Sequence, residues 1–562
     1  MRNLRRLLAT LVALGAVVLY SPTPARAQHD GPALRGRVTS MQEGAMEGVL
    51  VGAKKSGSTI TVVVVSDAEG VYQFPRERLT PGQYALSIFA TGYQLSKDAS
   101  VDVGVDATRE VDLELRAADD LAAQLSNTEW LLSIPGTDEQ KRSFLNCAHC
   151  HLLDRPLNTN YNADALVGVI ERMAKYPPLA FPLMPQFRPA ERVGPGAADT
   201  HARAQQDRAL AEYIASINLS TSAERSYELK TLPRPKGKAT RVIYTKYDLS
   251  PATRQPHDVI VDSNGYAWYA SFGEQVLARI DTKTGAVKEW GIPTLKPGLP
   301  TGVLGVEFDR DENVWLGMQF QGGVAKFDRK TETFQTWRLP PELDGDHVQI
   351  NQLAPEHSHV DGKVWFQDAG TYTVLRLDTR TGHIESFAPY EVPRPNVYDV
   401  ISDEQNNVYF TVMGASHVGR IDAKTGKIEI FETPTPRSAP RRGKVDREGN
   451  VWVGENRGNA VARFDPKTKT FKEWHAPTPY SLPYDVAADK HGYVWSGGEY
   501  SDRVLRLDPK SGEFVEYALP GFANIRRTYV DDRGARPVFW IGANHQAAII
   551  KLEQLDEAGA GP

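Results

Sequence analysis

The chain has 562 residues and a formal net charge of −5, from 65 Lys and Arg against 70 Asp and Glu. That length exceeds one hydrophobic core and implies several domains. The mixed charge offers no basic footprint for nucleic acid, and only two cysteines are present, which excludes a four-thiolate zinc site.

Residues 1–27 have the form of a targeting segment. Arg2, Arg5 and Arg6 give a positive start. Leu7 to Tyr20 is an apolar stretch too short to span a bilayer, and Ala25-Arg26-Ala27 is a small-x-small cleavage signal. The expectation is a mature chain from Gln28, exported to the periplasm or secreted, with no integral membrane span.

Residues 28–118 alternate as short strands. Leu34 to Val38 opens them, Thr59 to Ser66 is a β-branched run, and Gln83 to Phe89 and Val111 to Leu115 alternate apolar and polar positions. Turn signals at Asp67 to Gly70 and at Gly92 make this an all-β sandwich. The order G-R-V-T, D-A-E-G-V-Y-Q-F, P-G-x-Y and A-x-G-Y resembles the carboxypeptidase regulatory-like domain, which implies a spacer or docking module without chemistry of its own.

Residues 119–220 are expected to be a small all-α domain. Leu121, Leu125, Trp130 and Leu131 recur at rough helical spacing. Leu166, Val169, Ile170 and Met173 share a face, as do Leu210, Tyr213, Ile214 and Ile217. Within the segment lies Cys147-Ala148-His149-Cys150-His151, the pattern of c-type haem attachment. Each thiol adds to one haem vinyl group, and the histidine that follows reaches the iron. A disulfide between Cys147 and Cys150, or a redox dithiol, uses the same pair but needs no histidine after it. The segment resembles a small cytochrome c domain. That resemblance implies one covalent haem c and a sixth ligand from a loop before the last helix. Met184 in Phe181-Pro-Leu-Met-Pro-Gln-Phe187 fits that place; Met173, His201, water or an open site are the alternatives.

Residues 221–241 are Pro- and Lys-rich and form a linker, and 556–562 are expected to be a disordered tail. Between them, 242–555 repeats itself with a period of about 45 residues, the length of a propeller blade. Copies of an Arg/Lys-containing strand end at Asp281, Asp328, Asp378, Asp422, Asp465 and Asp508, with a weaker seventh at Glu553. Each follows a strand carrying Trp268, Trp315, Trp365, Tyr409, Trp452, Trp495 or Trp540, aromatics expected to pack blades. Seven blades follow, with Val242 to Asp248 donated to the last blade to close the ring. The fold class is thus multidomain: an all-β sandwich, a small all-α cytochrome c-like domain and a seven-bladed β-propeller.

The pattern P-x-D-V, D-x-x-G-x-x-W and R-I-D-x-K-T-G resembles the streptogramin (virginiamycin B) lyase family. The resemblance implies a propeller whose members open a cyclic ester-linked peptide by C–O elimination. It implies a His base at the start of an inner strand and a Mg2+ held by two Glu. Pro256-His257-Asp258-Val259 matches the base position, making His257 the catalytic candidate. Gln255 stands where one Glu is expected and Phe272 where the other is, with Glu274 the nearest carboxylate.

Inner strands start, and their neighbours end, on one rim. That rim is expected to gather His257, Leu304, Tyr398, Arg441, Tyr484 and Arg526 from one set, and Glu274, Gln319, Asp368, Glu455, Glu499 and His545 from the other. Such polar groups in a water-exposed funnel form a candidate small-molecule site. Three functions fit. The first is a periplasmic c-type haem protein in electron transfer, whose propeller binds a substrate, a redox partner protein or a small electron donor. The second is a lyase with an accessory haem, and the third a non-enzymatic sensor or scaffold.

Overall fold

A computed structural model of the chain describes residues 31–177, 180–181, 184–188, 200–392 and 394–555. The expected targeting segment and C-terminal tail lie outside the described residues, as does the side chain of His201. Among the described residues no helix is long and apolar enough to cross a membrane.

The D-x-x-x-x-x-W spacing builds blades 1, 2, 5 and 6 through one aspartate each. In blade 1, Asp262 Oδ1 accepts the N–H groups of Asn264 (2.9 Å) and Tyr266 (3.0 Å), which fixes the turn. Its Oδ2 accepts the indole N–H of Trp268 at 2.8 Å. The same bond joins Asp309 to Trp315, Asp446 to Trp452 and Asp489 to Trp495. A buried indole needs an acceptor, and a turn aspartate supplies it while capping its own turn. The tryptophans are packing residues, as expected.

Six four-stranded sheets run in order from Pro256 to Ala518. The seventh blade takes Tyr529–Asp531, Val538–Ala543 and Ala548–Gln554 from the C-terminal end and Val242–Asp248 from ahead of blade 1. Val242 to Asp248 pairs antiparallel with Gln554 to Ala548 along its full length, closing the ring as expected. Closure brings blades 7 and 1 close together. At Gly542 a Cβ would lie 2.2 Å from the Pro256 carbonyl oxygen, so the residue has to be glycine.

The closing strand has a second partner that sequence reasoning missed. Its free edge pairs with Ile60–Val65 of the sandwich, Tyr244 opposite Val63. Blade 7 and one sandwich sheet are therefore a single eight-stranded sheet. Side chains alternate across it. Ile243, Val62 and Val64 enter the sandwich core, while Val242, Tyr244, Val63 and Val65 pack with Ile541 and Ile550 of blade 7. An unbroken valine run suits a strand buried on both faces. That was the signal available at residues 62–65.

Among the described residues of 119–220 lie five α-helices. Ser126 and Glu129 form a capping box ahead of Asn127–Ser133, and Thr137 and Gln140 form another ahead of Asp138–Ser143. Asp138–Ser143 leads into the 3-10 turn Phe144–His149 that carries the first thiol. The long helix Thr200–Ile217 buries Ala211, Tyr213, Ile214 and Ile217 against Trp130, Phe144 and Leu145. Leu482 and Tyr500 of the propeller belong to the same apolar cluster. The expected linker is pinned rather than free. Leu232 N–H donates to Glu129, Arg234 binds Glu43, and the Pro233 carbonyl accepts from Arg503.

One shared sheet predicts one shared transition. Ile243→Ala removes a buried aliphatic side chain and should cost about 2–5 kcal/mol. Calorimetry should show sandwich and propeller unfolding together at the lowered temperature. Two separate transitions, only one of them shifted, would refute the coupling.

Candidate functional site

Most inner strands begin with a bulge. The pairing register slips between Pro256 and Val259, Val397 and Val400, Pro440 and Gly443, and Pro483 and Val486, in blades 1, 4, 5 and 6. A bulge breaks the strict alternation of a strand. It lets two successive side chains serve the central channel, in two layers.

The inner layer is Asp258, Asp399, Arg442, Asp485 and Arg527, all buried. Arg442 Nη1 reaches Asp258 Oδ1 across the channel at 2.7 Å. Arg527 lies 3.5 Å from Asp485 and also pairs with Glu307 of blade 2. Burial works against the Asp258 charge, but Arg442 and the His257 hydrogen bond outweigh it and hold that carboxyl well below the usual range. Asp399 has no such close partner. Burial pushes it up to about 7, against the pull of Arg442.

The outer layer is the expected mouth, and it brings together His257, Tyr398, Arg441, Tyr484, Glu499 and Arg526. The Tyr398 and Tyr484 hydroxyls are hydrogen-bonded to each other. The Arg441 guanidinium lies over the Tyr484 ring, 4.5 Å from its centroid. Arg441 and Arg526 share Glu499, at 3.4 and 3.5 Å. The His257 ring packs on Phe272 with centroids 4.9 Å apart. Its Nδ1 is 2.7 Å from Asp258 Oδ1, and its Nε2 has no protein partner among the described residues. Burial pushes this imidazole down to about 4, so it is neutral at pH 7.

Three expectations are corrected. Glu455 and Asp368 stand three residues past the strand tryptophan, whereas Gln319 and Glu499 stand four past. Alternation sends the two sets to opposite faces. Glu455 accordingly lies toward Glu473, Thr433 and Ser438, where burial and the Glu473 charge push it up to about 9. Asp368 caps its own loop, accepting from Gln349 and Gly370 N–H and from Thr371 Oγ1. Glu274 is taken by Arg254 and by the Ser271 hydroxyl, and Glu274 Oε2 accepts that hydroxyl at 2.7 Å. It is not turned toward His257. The third correction concerns water: His257 is 0% exposed, Glu499 1% and Arg441 7%. The mouth is covered, not wet.

The cover is the helical segment. On one side, Arg526 Nη2 donates to the His149 carbonyl (2.8 Å) and the Tyr500 hydroxyl to the Leu145 carbonyl (2.6 Å). On the other side, the Gln186 amide donates to the Gly273 and Thr301 carbonyls, and its oxygen accepts the Thr301 N–H. Cys147-Ala-His-Cys-His151 thus anchors to blades 6 and 7, and the Met184 loop to the neighbouring blades 1 and 2. His545, from blade 7, faces this cover. Both its ring nitrogens are sealed from solvent, and the backbone at His149 lies beside the ring. Burial, then Arg526 and His151, push its pKa down to about 3.

The donor set there fits a covalent haem. Cys147 and Cys150 are free thiols, only partly accessible. Burial raises both, Cys147 to about 12, so they are neutral thiols. His151 Nδ1 lies 2.8 Å from the Leu152 carbonyl, which can only accept. Nδ1 therefore carries the proton, and Nε2 keeps the lone pair that a metal needs. Met184 and Met173 are 37% and 41% exposed. Met173 lies off the buried face of Ala163–Ala174, which packs through Leu166, Val167 and Ile170. A Mg2+ site has less support, since among the described residues no group of three or more His, Cys, Asp or Glu is arranged to hold a metal ion.

Residues 297–554 match the Virginiamycin B lyase family. Residues 33–116 match the Carboxypeptidase regulatory-like domain. The propeller is thus lyase-like in fold, although the match begins after blade 1 and does not include His257 or Glu274. No curated protein matches the chain. Among solved structures, it is similar to virginiamycin B lyase from Staphylococcus aureus at 20% identity, over 56% of this chain and 100% of that one, with a TM-score of 0.48. A catalytically inactive His-to-Ala form of the S. aureus enzyme, solved with quinupristin, is similar at 20% identity over the same shares, with a TM-score of 0.47. A streptogramin B lyase is similar at 21% identity over 57% of this chain and 100% of that one, with a TM-score of 0.49.

The lyase-like channel predicts a pH dependence. An unfolded aspartate titrates near about 3.9, whereas Asp399 is held up to about 7 by burial. Between those values the folded chain keeps a proton that the unfolded chain has lost. This group's contribution to stability therefore falls as pH rises from about 4 to about 7, then levels off. Asp399→Asn should flatten that slope, read as urea midpoints across the pH range. An unchanged slope would show that Asp399 ionises normally.

Proposed function

We propose that the chain is a c-type haem protein that passes electrons between its haem and a small molecule or redox protein recognised at the propeller mouth, in the periplasm or outside the cell. The observation that carries this reading is the position of Cys147 to His151 across that mouth. Cys147 and Cys150 would hold the haem through thioethers and His151 Nε2 would hold the iron. When bound, the haem supplies one-electron redox chemistry. The chain's own residues prepare the place. The Leu152 carbonyl sets the His151 tautomer, Arg526 fixes the peptide at His149, and Gln186 pins the loop that carries Met184. Met184 is the proposed sixth ligand, and the apolar h-region with its Ala25-Arg26-Ala27 site supports export.

Covalent attachment is the test. Purified protein should keep its haem absorption through denaturation and acid-acetone extraction, and Cys147→Ser or Cys150→Ser should leave little holo-protein. Loss of all haem on extraction would sink the proposal. Met184→Ala should lower the midpoint potential and remove the weak red charge-transfer band of the ferric state. If Met173→Ala does so instead, the loop assignment is wrong.

A second reading rests on His257. A neutral imidazole held by Asp258, with Nε2 open, is arranged as a general base, and the propeller fold is lyase-like. Assaying a cyclic ester-linked peptide separates the two. In a lyase, His257→Ala abolishes ring opening. In the haem reading there is no ring opening to lose, and the variant still reduces its haem at saturating donor.

A further inference from the structure

The outer layer carries more positive charge than it can neutralise. Arg441 and Arg526 are both buried and share only Glu499. Their separations, 3.4 and 3.5 Å, exceed the roughly 2.7–2.9 Å of a charge-assisted hydrogen bond. The hydrogen bonds of Arg526 go to neutral acceptors, Asn524 Oδ1 at 2.7 Å and the His149 carbonyl at 2.8 Å. Asp258, the next carboxylate inward, is committed to Arg442. A buried guanidinium without a matching anion is strongly disfavoured.

Orphaned polar atoms surround the same place. Arg441 Nε, Glu499 Oε1 and His257 Nε2 are sealed from solvent without a hydrogen bond among the described residues, Glu499 Oε1 having only the 3.5 Å ion pair with Arg526. The Gln319 amide and Asn544 Oδ1 are likewise unpartnered, each four residues past its strand tryptophan, where Glu499 stands in blade 6. Buried polar atoms of a native chain are nearly always hydrogen-bonded, so this concentration marks a place built for a ligand. The mouth is also two-sided. Blades 1 and 2 supply Phe272, Leu304 and Phe320, a separate buried apolar cluster, whereas blades 4 to 7 supply the tyrosines and guanidiniums.

We propose that the mouth binds a carboxylate carried on an apolar body, the carboxylate on Arg441 and Arg526 and the body against Phe272, Leu304 and Phe320. Two sources share that chemistry. One is a haem propionate, which rests on the function proposed above. The other is a free aromatic or aliphatic acid, which does not.

The test uses the full-length protein, with benzoate as probe and benzyl alcohol as its uncharged counterpart. For a free acid, calorimetry shows benzoate binding and no benzyl alcohol binding. Arg441→Gln then weakens benzoate by about tenfold or more. For a propionate, benzoate does not bind. The haem midpoint potential falls in Arg441→Gln and Arg526→Gln and returns toward wild type in Arg441→Lys, which restores the cation. Should the Gln variants fail to fold, Arg441→Lys still reports. It replaces a planar fork by a point charge, so it weakens benzoate or shifts the potential in a folded protein. Absence of both benzoate binding and a potential shift overturns the proposal. A chain without covalent haem defeats the function proposed above but leaves the benzoate arm standing, so the two failures are distinguishable.

Discussion

The pairing of Val242–Asp248 with strands on both its edges is the constraint on which the molecule depends. Without it, blade 7 keeps three strands and an open edge, and the sandwich sheet loses its continuation. Because both partners are strands of one sheet, the chain that leaves that sheet after Val103 returns to it at Val242. The helical segment and its CAHCH peptide are thus tethered at both ends. A tether of that kind shortens the search for a docked position, since the segment cannot move far from the propeller it covers.

The mouth under that cover follows from a second constraint, the bulge at the start of the inner strands. Regular alternation would bring one side chain per strand end to the channel. The bulge brings two, and the channel gains an inner charged layer beneath the outer one. The inner layer is close to self-sufficient, with Arg442 on Asp258 and Arg527 between Glu307 and Asp485. The outer layer is not, and its imbalance sits where the helical segment seals it from water. Solvent screening cannot correct the imbalance there.

How far the sequence predicts this depends on the kind of signal. The propeller was legible because its repeat is a local hydrogen-bonding device: Asp262 caps a turn and binds Trp268 within seven residues, and the pattern recurs. The closing strand was legible as an unmatched strand ahead of blade 1. CAHCH stood out by its spacing alone, the pattern from which the haem proposal comes. The face of Glu455 was not, because one residue of register decides it and no local pattern marks the strand end. The burial of His257 and Arg441 was not legible either. It comes from residues 145–149 and 186, far away in sequence. His545 was placed on the rim from its distance past Trp540, whereas Tyr500 carried no motif at all and matters only through what is laid over it. The valine run at 62–65 was a usable signal for a doubly buried strand, but it fits a sandwich interior equally well.

The cover is held largely through main-chain contacts. Arg526 and Tyr500 bind the carbonyls of His149 and Leu145, Thr128 donates through its hydroxyl to the Tyr480 carbonyl and through its N–H to that of Tyr500, and Gln186 binds the backbone of Gly273 and Thr301. Nearly every contact is to main chain on one side or the other. Main-chain acceptors fix position without consuming a reactive side chain. The peptide that bears Cys147, Cys150 and His151 is immobilised through its main chain at both Leu145 and His149. A disulfide or a structural dithiol would gain nothing from this arrangement. A group attached through both sulfurs and one imidazole would be held at a fixed place above the guanidinium-lined mouth. The link between the CAHCH peptide and the under-neutralised mouth is what the proposed function rests on.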